Sequence, residues 1–318
     1  MRRSLTVAFV AAALTLTGSA AAFADEPVES LIRSTEEADF HGNGVVLTIW
    51  GSETAAAVFS VTRSRGMSMV STGDRMVAAG GGMLARFDGE SWYGTGVVEA
   101  APWEVSDRYA LTEDGATRRL DRDALSVTVL EDGVARVRIT LDAATSVPLR
   151  TDVFDGAGRI FRAAFLTEMA GAEGFTDATP MPDDVMPPMD DPRKMTTAVS
   201  PDRLPGSAAG YWRANAYDAP NDGVHAFYTD GLFTFSVFEW NRTATPAAFE
   251  RASEVRIAGH DYRRIVEPSR IWLQWHAPDH TYVLVGDLPP DHLARILPAL
   301  PEPGDRAMLV RLWRSLFG

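Results

Sequence analysis

The chain contains no cysteine. That excludes a disulfide framework, a thiol nucleophile and a thiolate metal site. It also excludes lipoprotein anchoring, which needs a cysteine at the mature N-terminus. Lysine is almost missing too. Lys194 is the sole one, and every other basic residue is arginine, a pattern that fits the codon usage of a GC-rich genome. Catalytic signatures are equally scarce. There is no G-x-S-x-G and no H-E-x-x-H. Gly156-Ala157-Gly158 lies between two strand candidates, whereas a phosphate-binding fingerprint opens a helix. His276 and His280 are four apart, but Pro278 and Asp279 intervene and a third ligand is lacking, so no metal is expected there. These absences point to a binding protein that carries no catalytic residue and no cofactor.

Long apolar runs are confined to the start. Arg2 and Arg3 precede the apolar run Leu5–Leu16, and Ala22-Phe23-Ala24 is an A-x-A cleavage site. Residues 1–24 are therefore expected to be a secretory signal, cleaved after Ala24 to leave a protein that is soluble outside the cytoplasm. The apolar run is short for a span, which takes about 20 residues. The net charge is −13 and becomes more negative once Arg2 and Arg3 are removed. An acidic chain is repelled by nucleic acid and by anionic membrane surfaces, so neither is expected as a general partner.

Composition divides the rest. Residues 170–205 are rich in Pro, Asp, Met and Gly, and their prolines forbid a regular helix or a central strand. This reads as a linker or a surface strap. Met186-Pro187-Pro188-Met189 spaces two thioethers closely, but without His or Cys beside them apolar contact is the expected role. Asp183, Asp184, Asp190 and Asp191 read as solvated charge.

Residues 25–169 read as one helix followed by strands. Val28, Leu31, Ile32 and Thr35 share a helical face after Pro27. From Gly44 the period becomes two. Strands are predicted at 44–50, 55–62, 67–71, 75–79 and 84–87. Hairpins follow at 125–141 around Glu131-Asp132-Gly133 and at 147–168 around Asp155–Gly158. Residues 206–300 form a smaller unit with strands at 224–228, 232–240, 255–258, 261–265, 271–276 and 281–285. A helix starts at Pro289 or Pro290, with Leu293, Ile296, Leu297 and Leu300 as its apolar face. Residues 301–318 read as a basic amphipathic tail, a helix that docks on its own unit, with a membrane surface or a partner as the alternative.

The densest stretch is VHAFYTDGLFTFSVFEW, Val224–Trp240, with Asp230-Gly231 between two aromatic runs. It resembles the second domain of the sigma-E regulatory proteins of the RseB/MucB family, in which a YSDGL…SVF hairpin recurs. Val147–Asp155, Gly158-Arg159-Ile160 and Phe165–Glu168 resemble the GLLLR…E.FD..G…F.F.E end of that family's first domain. His41–Val46 resembles its entry strand, and Gly286–Leu297 its closing helix. Two departures stand out: Ser146 occupies the family's frequent Gly, and Pro148 replaces a Leu, which suggests an edge or bulge.

The resemblance implies an α+β fold. Its first domain would be an unclosed antiparallel β-barrel with helices, like that of LolA and LppX. The second would be a smaller antiparallel sheet with a helix. It also implies a periplasmic regulator. Such a protein binds the extracytoplasmic segment of a membrane-anchored anti-sigma factor, senses a lipid-like ligand and so controls an ECF-type sigma factor. A LolA/LppX-like lipid or lipoprotein carrier is the alternative, disfavoured because simple carriers lack the second domain. An enzyme using the barrel cavity ranks last for want of a catalytic cluster. Self-association stays open. Val45, Leu47, Ile49, Phe59, Val61, Met69, Phe161 and Phe165 are the expected cavity lining. Tyr228, Asp230, Gly231 and Phe233 are the expected partner surface, although their aromatic content is equally explained by a small core.

Overall fold

A computed structural model of the chain describes residues 38–64, 67–73, 75–80, 83–87, 92–97, 108–171, 203–219, 223–241 and 247–304. The expected signal and its cleavage site, the helix after Pro27, most of the Pro/Met/Asp-rich strap and the tail beyond residue 304 lie outside the described residues. The described residues fall into two compact units, one for each β-sheet.

The first unit is an 11-stranded antiparallel sheet. Its strands are β1 (Phe40–Trp50), β2 (Glu53–Ser64), β3 (Met67–Thr72), β4 (Arg75–Gly80), β5 (Met83–Phe87), β6 (Trp92–Val97), β7 (Tyr109–Arg119), β8 (Arg122–Glu131), β9 (Val134–Asp142), β10 (Pro148–Phe154) and β11 (Ile160–Gly171). Two meanders, β1–β6 and β7–β11, are joined where β1 pairs with β11, and the sheet ends at β6 and β7 without closing on itself. The open sheet agrees with the unclosed architecture expected. Helix content is low: the single α-helix among the described residues is in the second unit.

Strict alternation creates two faces. Along β1, Phe40, Gly42, Gly44, Val46 and Thr48 are buried, while Val45 and Leu47 are half-buried and Ile49 is exposed. The register sets Gly44 opposite Phe59, and Gly42 opposite Val61, on β2. On the other side Val46 faces Ala164 and Gly44 faces Leu166 of β11. Val61 in turn faces Val70, and Val70 faces Val77. These residues and Leu149 form one apolar cluster. Gly44 makes it possible, since a Cβ there would come within 2.5 Å of the Phe59 ring and 2.4 Å of the Phe165 carbonyl oxygen. The glycine is the space into which Phe59 folds.

Two-residue turns with both residues at positive φ set the hairpin registers at Leu120-Asp121, Asp132-Gly133, Ala209-Gly210 and Ala258-Gly259. This is the backbone of a type I′ turn, whose twist matches the strands it joins. Pro148 sits beside a register shift in β10, the bulge its missing N–H suggests, although β10 is an inner strand. Ser146 holds φ at 58°, a conformation that glycine adopts without strain.

The second unit is an 8-stranded antiparallel sheet. It comprises β12 (Ser207–Ala208), β13 (Tyr211–Ala219), β14 (Gly223–Thr229), β15 (Thr234–Asn241), β16 (Ser253–Ile257), β17 (His260–Glu267), β18 (Arg270–His276) and β19 (His280–Gly286). Again two meanders are joined through one seam, here β15 with β19. Helix α1 (Pro290–Ile296) follows, with Leu293, Ile296, Leu297 and Leu300 buried as expected. Strands β6, β7, β12 and β13 add to those the sequence predicts.

Candidate functional site

The eight expected cavity residues do not share a face. Phe59 and Val61 are buried in the apolar cluster with Val46 and Leu166. Val45 faces Val58 and Phe165 across the ladders, and Thr62 faces Met69. Val45, Leu47, Ile49, Met69 and Phe165 therefore occupy the opposite face, and Phe161 falls at a register shift of the β10–β11 ladder, where alternation breaks. Phe161 is itself buried, edge-on to Trp50 at 6.3 Å. The lining chosen from sequence combined two registers, because alternation reveals that two faces exist and not which strands' faces coincide.

Of the residues expected as a partner surface, Tyr228, Asp230, Gly231 and Phe233, all but Gly231 are buried. Tyr228 and Asp230 are fully buried and Phe233 is 2% exposed. Tyr228 stacks on Phe235 at 4.7 Å, and its hydroxyl donates to the Pro205 carbonyl at 2.7 Å. The Asp230 carboxylate accepts the N–H groups of Leu232 and Phe233 at 3.0 and 2.8 Å, while Gly231 turns the chain with φ at 94°. Phe233 meets the buried His292 ring edge-on at 5.1 Å, and His292 Nδ1 lies 2.6 Å from the Tyr211 hydroxyl. The hairpin is thus the brace that seats α1 on the sheet.

His276 and His280 take different neighbours. His276 Nδ1 is 3.0 Å from Thr281 Oγ1, whereas His280 lies beside Arg203 and 3.3 Å from the Glu239 carboxylate. Among the described residues no group of three or more His, Cys, Asp or Glu could hold a metal ion. No helix among them is long and apolar enough to cross a membrane.

The most concentrated chemistry lies on the half-exposed face of the first sheet. A pocket of about 350 Å³ is lined by Thr117, Arg118, Arg119, Ser126, Arg138, Thr140, Arg150, Asp152, Phe154 and Ile160. The ladders explain why these residues meet. Ser126 faces Thr140, Thr140 faces Arg150, and Arg150 faces Phe165 across β8, β9, β10 and β11. In the next row Thr128 faces Arg138, and Arg138 faces Asp152.

Aromatic rings hold the guanidinium groups. Arg119 and Arg150 lie over the Phe165 ring at 5.3 and 5.7 Å, and Arg138 lies over Phe154 at 5.5 Å. Such stacking leaves the N–H edges available. Two carboxylates answer this charge. Asp152 Oδ2 accepts from Arg150 Nε at 2.6 Å, and Asp114 Oδ2 accepts from Arg138 Nε at 3.1 Å and from Thr128 Oγ1 at 2.6 Å. Among the described residues Arg118 donates to the Asp121 carbonyl. Burial, followed by repulsion from Arg150, lowers the pKa of Arg119, against a smaller opposing pull from Asp152. The sequence reading missed this pocket because it attributed arginine to codon usage and did not identify β7. The period-two series Arg138, Thr140 and Arg150, Asp152, Phe154 was the available signal.

Comparison with known proteins comes from structure alone. No family model and no curated protein matches the sequence. The complex of MucA and MucB from Pseudomonas aeruginosa matches with a TM-score of 0.50 and 16% identity, covering 85% of this chain and 96% of that one. A second MucB structure, solved with the MucA(peri) segment, matches at 0.49 with 17% identity over 87% and 97%. A LolA superfamily protein from Nitrosomonas europaea, 11% identical, covers 83% and 96% at a TM-score of 0.21, too low to support an argument. At such identities the likeness describes the backbone and not the chemistry. The chain has an RseB/MucB-like fold.

Proposed function

We propose that this protein is a non-catalytic regulator that works outside the cytoplasm. It would hold the extracytoplasmic segment of a membrane-anchored anti-sigma factor, respond to a lipid-like ligand and thereby control an ECF-type sigma factor. The observation that carries this reading is the extent of the fold match. The MucB likeness spans 85% of the chain. The shared fold supports the reading that this chain, too, holds a partner. MucB itself was solved with MucA.

In this reading residues 1–24 direct export and are removed, residues 25–169 and 206–300 are the working domains, and residues 170–205 connect them. The lipid-like ligand would meet the apolar face that holds Phe59 and Val61. Burial of an acyl chain there would be favourable by about 0.8 kcal/mol per CH₂. Ligand and partner would then compete through different affinities for two conformations.

The test is titration of the full mature chain with a synthetic extracytoplasmic segment of the anti-sigma factor encoded beside it. Saturable 1:1 binding that short-chain lipids displace is the expected result. If no such segment binds while labelled lipid passes between vesicles, the protein is a carrier instead.

A further inference from the structure

The arginine pocket has properties that holding a partner peptide does not explain. Its positive charge exceeds its negative charge within a chain of net charge −13. Arg150 and Arg138 are answered by Asp152 and Asp114, but Arg118 and Arg119 have no carboxylate partner among the described residues. Arg119 Nε is buried without a hydrogen-bond acceptor. The residue as a whole is half-exposed, so its outer N–H groups stay open to the pocket while Nε lacks an acceptor.

A second observation concerns an acceptor. Asp152 is 6% exposed, and its Oδ1 has no hydrogen-bond donor among the described residues. A buried carboxylate oxygen left in this way is costly to the fold and is relieved by any donor that reaches it. The pocket thus asks for an anion at one place and for a hydroxyl or N–H donor at another. A bare anion answers only the first need, and Asp152 repels it. The hydroxyls of Thr117, Ser126 and Thr140 add further polar contacts, while Phe154 and Ile160 supply apolar wall. The volume suits a small molecule.

We propose that this pocket binds an acidic sugar. Its acid group would sit against Arg118 and Arg119, and a ring hydroxyl would donate to Asp152. The acid is a carboxylate in a uronic acid or a phosphate in a sugar phosphate, and both present one anion beside several hydroxyls. A polypeptide spreads its acids along a line, whereas these groups converge on one cavity. The inference rests on the geometry of the first sheet alone, so it can fail while partner binding stands, and the reverse.

The experiment is an NMR titration of the full mature chain at low ionic strength. The probes are glucuronate, glucose 1-phosphate, glucose, inorganic phosphate and an oligoglutamate peptide. One of the two acidic sugars should bind at least about tenfold more tightly than glucose, phosphate and the peptide, and the stronger one identifies the acid. Arg119→Gln should weaken that binding at least about tenfold, a loss of about 1.4 kcal/mol. Ile160→Trp fills the pocket without removing a polar group and should weaken it likewise. Asp152→Asn should weaken the sugar yet strengthen inorganic phosphate. Equal binding of phosphate and acidic sugar would overturn the proposal. So would preference for the peptide, or binding that survives both Arg119→Gln and Ile160→Trp in proteins that melt like the parent.

Discussion

The two faces of the first sheet are made by the same strands and follow opposite rules. One face gathers Phe40, Val46, Phe59, Val61, Val70 and Leu166, each at 3% exposure or less. The other carries Arg138, Thr140, Arg150 and Asp152, with rings that stack on guanidinium groups. A shift of one residue exchanges them. Stability should therefore reside chiefly in the first face, and recognition of a polar ligand in the second.

The largest effect expected is on the apolar face. Phe59→Ala should cost about 3–5 kcal/mol in urea unfolding, because the ring fills space that its neighbours cannot recover. A loss below about 1 kcal/mol would show that this face is not a packed core. Gly44→Ala tests the same contact from the other strand. Its Cβ would collide with the Phe59 ring and the Phe165 carbonyl, so a cost of about 1–3 kcal/mol is expected.

The second sheet extends the contrast to pH. His225 is stacked on Phe238 at 4.3 Å, and burial lowers its pKa to about 4. The neutral ring is favoured in the fold, while the unfolded chain titrates near 6.5. This stabilisation is complete above pH 6.5 and is lost as pH falls toward 4. Between pH 7 and 5 the loss should be about 1–2 kcal/mol, and His225→Phe should flatten that limb of the unfolding curve.

The smallest effects belong to the pocket face and its border. Ser146→Gly removes a left-handed serine and should stabilise by about 0.5–1 kcal/mol, seen as a small rise in Tm. Arg138→Gln, at an exposed ion pair with Asp114, should change stability by less than about 0.5 kcal/mol. A large loss there would mean that the pocket face carries structure as well as ligand.

Most strands were legible because apolar alternation and turn residues agree. That was so for β1 to β5, for β8 to β11, and for the hairpin around Asp132-Gly133. Strand β7 was not, since YALTEDGATRR is almost entirely exposed at the sheet edge and its register comes from pairing with β8. Strand β13, YWRANAYDA, mixes polar and aromatic residues in the same way. The site was harder to read than the fold. Aromatic density at Tyr228 and Phe233 signals a core or an interface equally well, and only the contacts of His292 and Pro205 decide. The arginine pocket draws on five strands, so no local window contains it.

The seam between β1 and β11 also has a consequence in time. Thr167 donates to the Asn43 carbonyl across 124 positions of chain. Neighbouring hairpins close in about 1–10 μs, but such a distant pair must wait for everything between to be ordered. Until then β1, with its run Gly-Val-Val-Leu-Thr-Ile-Trp, offers a bare apolar edge to any passing strand. The interval before β11 arrives is when the chain is most exposed to aggregation, and when a chaperone that shields β1 would matter most.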